Sequence, residues 1–319
     1  MTRMPVVTVV APLLLAGSLL AAEPEPPSAG AESLDATAET VPQGEQDDAI
    51  VDDILITGRR YTPERIRIML DFVNELGDPV NRDFGFARFE ERACFRVHNT
   101  AEPVAKYIQD RMADTARLVN LEIQPPNCRP NVDIIFSTDG RLTATQMVET
   151  RRALFKPFGN AEGTTQDSHA LSAFKNGEQP VRWWQITVPV DRMGNPVVPG
   201  ANPGEPPRVM ASNSLLASGM RDRLLGSLII VDVNKLGSAT WDQLADYLAM
   251  VALVQVDPKA NLAGFDSILN LFGGNAPPSS LTEWDRAYLQ SLYKLNLYML
   301  PRVQKGQLAQ QLLRDLDGK

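Results

Sequence analysis

Apolar residues in the first half of the chain recur in two ways, at every third or fourth position in some segments and in short continuous runs in others. The first spacing predicts a helix that begins at Thr62 and ends at Gly77, and a second helix that is capped by Thr100. The short runs at 95–97 and 132–136 predict strands on either side of the second helix. A strand, a helix and a strand in this order predict a crossover unit with parallel strands.

The second half of the chain continues this mixture of elements. The pattern predicts a helix at 141–154 and strands at 181–189 and 225–233. Between them, 191–207 contains five prolines and three glycines. We predict a long surface loop there and no domain boundary, because strand patterning resumes beyond it.

The C-terminal part is predicted to be helical over about 237–319. Thr240 followed by Gln243 has the spacing of a capping box, and the helix that it opens is apolar on most of its positions. Ser280 with Glu283 predicts a second capping box, at the start of a closing helix that reaches Tyr293. Together these elements predict one α+β domain over 50–319, in which helices pack on a mixed sheet.

The N-terminus has the pattern of an export signal. Arg3 precedes an apolar stretch from Val6 to Leu20, and Ala22 offers a small residue for cleavage. We predict a Sec signal peptide at 1–22, because Glu23 ends the apolar stretch before it reaches the roughly 20 residues of a membrane span. We therefore expect a periplasmic or secreted protein with no integral membrane segment after cleavage.

Charge is distributed unevenly along the chain. Ten of the 39 acidic residues lie within 23–53, which contains no Lys or Arg, so the net charge of −8 comes from this segment. Its Pro, Ala, Ser and Glu content predicts a disordered acidic linker at 23–49. Over 54–319 the chain carries 29 acidic and 30 basic residues, a balance that argues against a nucleic-acid partner.

The chain contains two cysteines, Cys94 and Cys128. In an exported protein a pair of this kind is usually oxidised, so we predict a disulfide bond between them. The alternative is a Cys94 nucleophile assisted by His98. It is disfavoured because the four-residue spacing in a strand places the two side chains on one face but well apart.

Other catalytic signals are few. The two histidines, His98 and His169, are 71 positions apart, and His169 is expected in a solvated loop. The chain has no nucleophile elbow, phosphate-binding loop or dinucleotide fingerprint, and no cofactor is expected. The tryptophans are expected to pack in the core, and they are Trp183, Trp184, Trp241 and Trp284.

The segment at 50–58 resembles the short stretch at the start of the plug in TonB-dependent receptors. This resemblance implies an accessory that contacts TonB through Asp53 to Arg59. An edge strand that leads into the first helix is the competing interpretation, because nothing downstream resembles the receptor's barrel.

A second resemblance begins at 225. A strand, a helix, the turn Asp266-Ser-Ile-Leu-Asn270 and the closing pattern Leu281-Thr-x-x-Asp285-x-x-x-Leu-Gln-x-Leu-Tyr293 together resemble the end of metzincin-type zincin metallopeptidases. In that family the helix carries H-E-x-x-H, in which two His bind zinc and the Glu activates water. The resemblance therefore implies a zincin-like α+β fold.

The ligand positions implied by this resemblance hold other residues. The first His, the Glu and the second His would stand at Asp246, Tyr247 and Met250, a third ligand at Val256, and the methionine of the turn at Leu269. No His follows His169. We therefore expect no metal site, and we interpret Asp246 and Tyr247 as the polar edge of a packing helix, where Asp246 could be replaced at little cost.

The ordered part as a whole is similar to a group of uncharacterised exported bacterial proteins. The shared segments are Cys128-Arg-Pro-Asn131, Pro180-Val-Arg-x-Trp184 and Leu244-Ala-Asp-Tyr-Leu-Ala-Met250. The resulting hypothesis is a pseudoenzyme, meaning a non-catalytic zincin-like protein that binds a protein or envelope component. The alternative is a peptidase-like hydrolase with unrecognised catalytic residues.

Overall fold

The computed structural model describes residues 61–77, 85–155, 168–197, 217–273 and 276–317. The predicted signal peptide at 1–22, the linker at 23–49 and the segment at 50–58 lie outside these ranges. Most of the predicted loop at 191–207 lies outside them as well.

The described residues form seven α-helices, which are α1 (Pro63–Leu76), α2 (Glu102–Arg117), α3 (Gly140–Thr150), α4 (Ser168–Asn176), α5 (Trp241–Leu253), α6 (Glu283–Lys294) and α7 (Pro301–Asp317). The strands in the same ranges are β1 (Arg92–Ala93), β2 (Phe95–His98), β3 (Glu122–Ile123), β4 (Val132–Ser137), β5 (Val181–Asp191) and β6 (Met220–Asp232). Three short 3₁₀ helices accompany them, at Arg152–Phe155, Val233–Lys235 and Ile268–Phe272. The predicted mixture of helices and strands is confirmed.

Four strands form the main sheet, in the order β2-β4-β6-β5. β2, β4 and β6 are parallel, and β5 runs antiparallel to β6 at one edge. Since α2 connects β2 to its parallel neighbour β4, the predicted crossover unit is confirmed. β1 and β3 form a separate parallel pair.

The two faces of the sheet are covered unequally. Val132, Ile134 and Phe136 of β4 are buried in the larger core, which also takes residues from α1, α2, α5, α6 and α7. The intervening residues of β4 are only half-buried, because side chains alternate between the faces of a strand. On this second face a smaller core packs Trp184 and Leu228 against Phe155 and other residues at α3 and α4.

The helix after β6 lies in the centre of the larger core. Every residue from Gln243 to Leu253 is buried. The predicted capping box is confirmed, since Thr240 accepts a hydrogen bond from the Gln243 amide at 3.3 Å and the Gln243 side chain accepts one from the Thr240 amide at 2.9 Å. Satisfying these amides stabilises the start of a helix that is otherwise apolar.

Neighbouring tryptophans anchor the antiparallel edge strand on both faces. Trp183 donates to the carbonyl of Val256 at 3.1 Å, and Trp184 donates to the carbonyl of Leu154 at 2.9 Å. Both are buried, as predicted. The prediction is wrong for Trp241, which is 46% exposed because it occupies the first turn of α5.

Some predicted boundaries are corrected by the structure. The second capping box uses Thr282 and Asp285 and not Ser280 and Glu283, because it is Thr282 whose extended backbone aims its hydroxyl at the N3 amide. His169 lies in the first turn of α4 and not in a loop. The predicted helix at 141–154 ends at Thr150 and continues as a 3₁₀ turn.

Candidate functional site

The two cysteines form a disulfide bond, as predicted. Cys94 and Cys128 are joined with a Cα–Cα distance of 6.1 Å, between the start of β2 and the loop before β4. The bond closes a separation of 34 positions. Because both sulfurs are used in the bond, the alternative of a Cys94 nucleophile is wrong.

Asp246 of α5 is part of a buried hydrogen-bonded ion pair. Its carboxylate accepts two hydrogen bonds from the Arg111 guanidinium, at 2.8 and 2.9 Å, and a third from the Leu281 amide at 2.7 Å. The residue is 3% exposed. The hydrogen bond to Asp246 raises the pKa of Arg111 above its ordinary value. Asp246 therefore joins α2, α5 and the segment before α6, a larger structural role than the sequence indicated.

Tyr247 occupies a different environment. Its ring makes edge contacts with Trp183 and Phe272, at centroid distances of 6.5 and 5.2 Å. Burial raises the pKa of its phenol above the ordinary value. Tyr247 lines a cavity of about 170 Å³ together with Val256, Leu269 and other residues. We refer to this as the small cavity.

The structure thus separates the predicted site residues. Tyr247, Val256 and Leu269 meet around the small cavity, whereas Asp246 and Met250 do not line it. Met250 is fully buried in the larger core. Asp257 adds one carboxylate to the small cavity. Across the described ranges, no group of three or more His, Cys, Asp or Glu side chains is placed to hold a metal ion.

Asp285 joins the closing helix to the preceding turn. Its buried carboxylate accepts hydrogen bonds from the Ser267 hydroxyl at 2.6 Å, the Ile268 amide at 2.8 Å and the Thr282 amide at 3.0 Å. Burial raises the pKa of this carboxyl above its ordinary value, and the hydrogen bonds act in the opposite direction. One carboxylate therefore holds both the turn at 267–272 and the start of α6.

A large cavity lies on the second face of the sheet. It has a volume of about 740 Å³. It is lined by Arg96, His98, Asn99, Arg129, Pro130, Asn131, Asp133, Ile135, Met147, Arg151, Leu154, Ile186, Leu225, Gly226, Ser227 and Leu228. We refer to it as the basic groove. It extends from β2 and β4 to Ile186 of β5 and residues 225–228 of β6, beside the smaller core.

The charged groups of the basic groove are largely cationic. Three arginines line it, and one of the described lining residues, Asp133, is acidic. The Asp133 carboxylate is 2.7 Å from Nε2 of His98. Arg96 donates to the carbonyl of Cys128 at 2.9 Å. The guanidinium groups of Arg129 and Arg151 make no ion pair or hydrogen bond with the described part of the chain.

A β-bulge shapes the apolar side of the groove. Ile186 of β5 pairs with Gly226 and Thr187 pairs with Leu224, so Leu225 is an extra residue on β6. Leu225 is 42% exposed and lines the groove. A bulge adds a side chain outside the regular alternation of the strand, and such irregularities often accompany functional sites.

Sequence reasoning missed this groove, although the chain contains a signal for it. In β2 and β4 the positions that alternate with the apolar core residues are Arg96, His98 and Asp133. Once these strands are predicted to be parallel neighbours, the alternation places all three on one face of the sheet. The remaining arginines come from a loop and a helix end, and no strand pattern could place them there.

The comparisons with known proteins do not identify the chain. No family model matches it, and neither a curated protein nor a solved structure matches it at a significant level.

Within the part of the chain that the structure describes, no helix combines the length and the apolar content needed to cross a bilayer.

Proposed function

We propose that this protein is an exported, non-catalytic binding protein on a zincin-like scaffold, and that the basic groove is its binding site. The observation that carries the proposal is that a buried carboxylate is paired within the fold, whereas two arginines at a cavity are not. The Asp246 carboxylate accepts hydrogen bonds from Arg111 and the Leu281 amide. Arg129 and Arg151, in contrast, line a cavity, and their guanidinium groups have no partner among the described residues. Unpaired cations in a concave site are available to a ligand.

Features of the topology support the zincin-like part of the proposal. An antiparallel edge strand precedes the central strand β6, and α5 follows β6 closely. Asp285 of α6 accepts hydrogen bonds from Ser267 and Ile268 in the turn at 267–272. This order of strand, helix, turn and closing helix is the one on which the resemblance to metzincins rests.

The residues around the small cavity support the non-catalytic part. A catalytic zinc site needs three protein ligands and an open position for water. Tyr247, Val256 and Leu269 supply a phenol and two apolar groups, and Asp257 supplies one carboxylate. A lone carboxylate beside apolar side chains is a poor ligand set for a divalent transition metal.

The disulfide bond supports export, because such bonds persist mainly in oxidising compartments. Mass spectrometry of protein recovered from the periplasm or medium should show the loss of residues 1–22 and a bridge between Cys94 and Cys128. Recovery of the protein from the cytoplasm with two free thiols would contradict this part.

The non-catalytic proposal is tested by metal analysis, a chelator and a peptidase assay on the purified protein. We expect no stoichiometric zinc, an unchanged melting temperature after chelation, and no proteolysis of unfolded substrates. A bound structural metal would contribute to folding, so its removal would lower the melting temperature. Proteolysis that is lost in Asp257→Ala and retained in Asp266→Ala would favour the hydrolase alternative.

A further inference from the structure

We propose that the ligand of the basic groove is a small amphiphilic anion, in which a carboxylate or phosphate group is attached to an apolar body. This inference rests on the proposed function, because it names the ligand class of the same groove.

The charges of the groove favour an anionic ligand. Three guanidinium groups line it, and the carboxylate of Asp133 is already 2.7 Å from the His98 ring. Arg129 and Arg151 are exposed and lack partners among the described residues. Guanidinium groups present planar sets of donors that match the two oxygens of a carboxylate or phosphate.

The apolar part of the lining favours a ligand that carries an apolar body in addition to its negative charge. Ile135, Ile186 and Leu228 come from three neighbouring strands, Leu225 is added by the bulge, and Met147 and Leu154 come from the α3 side. Leu228 is already buried in the smaller core, but an inorganic ion would leave Leu225, which is 42% exposed, and the exposed parts of the half-buried side chains in contact with water. An apolar body attached to the anion would bury it, with a gain proportional to the area covered. The volume of about 740 Å³ is within the range of small-molecule sites.

The cationic wall is held in place by the disulfide bond. Arg96 and Arg129 lie within two positions of Cys94 and Cys128, which are bonded to each other. Arg96 is fixed further by its hydrogen bond to the Cys128 carbonyl. Asn131, which also lines the groove, accepts a hydrogen bond at its carbonyl from the Ser227 backbone amide at 2.8 Å, and a Cβ on Gly226 would meet the same oxygen at 2.8 Å. The backbone of a wall built in this way loses little freedom when a ligand binds.

Isothermal titration calorimetry on the purified protein tests the ligand class with five probes. Octanoate and octyl phosphate carry both parts of the proposed ligand, acetate and inorganic phosphate carry only the anion, and octyltrimethylammonium carries the chain with a positive charge. We expect octanoate or octyl phosphate to bind at least about tenfold more tightly than the other three. Tighter binding of octanoate indicates a carboxylate source and tighter binding of octyl phosphate a phosphate source, and either result supports the inference.

Matched variants locate the binding. Arg151→Gln and Leu225→Asn should each weaken the better octyl anion by about tenfold. Arg152→Gln, next to Arg151 but outside the lining, and Leu142→Asn, an exposed leucine outside the lining, should leave its affinity unchanged. Melting temperatures of all four variants show whether the fold is retained.

Other results would overturn the inference and still separate it from the proposed function. Equal binding of the cationic probe, or unchanged affinity in Arg151→Gln, would show that the ligand is not selected by its negative charge. If no octyl probe binds, native mass spectrometry of the protein from its exporting host decides the role of the groove. A small molecule that copurifies with the wild type and not with Leu225→Asn keeps the groove as a binding site and rejects only the ligand class. Absence of any such molecule from both would reject the groove as well.

Discussion

Asp246 and Arg151 represent two regions of the molecule in which charged side chains are held differently. Asp246, on the α5 side of the sheet, is buried, and its carboxylate accepts three hydrogen bonds, two from Arg111 and one from the Leu281 amide. Arg151, at the end of α3, is exposed on the edge of the basic groove. A buried charge needs partners within the fold, whereas an exposed charge does not. The polar groups around Asp246 therefore contribute to stability, whereas the guanidinium groups of Arg129 and Arg151 are not engaged by the described part of the fold.

The largest loss of stability is expected from a substitution in the apolar part of the α5 region. Leu248 is fully buried, so Leu248→Ala should lower the free energy of unfolding by about 2–5 kcal/mol through lost burial and the cavity left behind. Leu142→Ala is the control, because Leu142 is 53% exposed. Urea titration of both variants measures the difference. Equal, small losses would mean that α5 is not the centre of the core.

The disulfide bond contributes to the stability of the groove side. Removing it with Cys94→Ser and Cys128→Ser together should cost about 3–4 kcal/mol, because the unfolded chain regains the freedom of a loop of 34 positions. Urea titration measures the loss. A double variant as stable as the wild type would show that the wall of the groove is held by its hydrogen bonds alone.

Asp246→Ala should cost about 2 kcal/mol. It leaves the Leu281 amide without its buried acceptor and Arg111 without its partner, and the partial exposure of Arg111 lets water offset some of the loss. Asp114→Ala, which breaks the exposed pair with Arg117, is the matched control and should cost no more than about 0.5 kcal/mol. A cycle with Arg111→Ala separates the pair from the amide contact. Equal, small losses in Asp246→Ala and Asp114→Ala would show that the buried and the exposed aspartate contribute alike to stability.

The smallest effect is expected in the groove. Arg129 is exposed and has no partner among the described residues, so Arg129→Ala should change the free energy of unfolding by no more than about 0.5 kcal/mol. Urea titration measures this change in the free energy of unfolding. A loss as large as that of Asp246→Ala would assign Arg129 a structural role and weaken the assignment of the groove as a binding site.

The sequence predicted much of the fold because its local signals agree with the tertiary structure. The Thr240 and Gln243 capping box, the α1 limits at Thr62 and Gly77, and the parallel crossover from β2 to β4 all follow from residues close together in the chain. The second capping box was misplaced because Ser280 and Thr282 have similar signals. The carboxylate that decides between them, Asp285, also binds the distant Ser267.

The groove could not be predicted as a unit. Its arginines come from β2, the loop after Cys128 and the end of α3, and only the paired strands and the disulfide bond bring them together. The contacts of Asp246 could not be predicted for a similar reason. Its partner Arg111 is 135 positions away, and the spacing along α5 carries no information about it.

The pair of tryptophans on β5 equips the protein with two optical reporters, one for each region. Trp184 donates to the carbonyl of Leu154, whose side chain lines the basic groove, while Trp183 lines the small cavity beside Tyr247. Indole emission shifts with the polarity and rigidity of its surroundings. Trp241 and Trp284 also emit, so the two reporters are separated in a chain that lacks those two tryptophans. In that chain Trp183→Phe leaves the emission of the groove side, and Trp184→Phe leaves the emission of the α5 side. Occupancy of one region can then be followed by fluorescence without an attached dye.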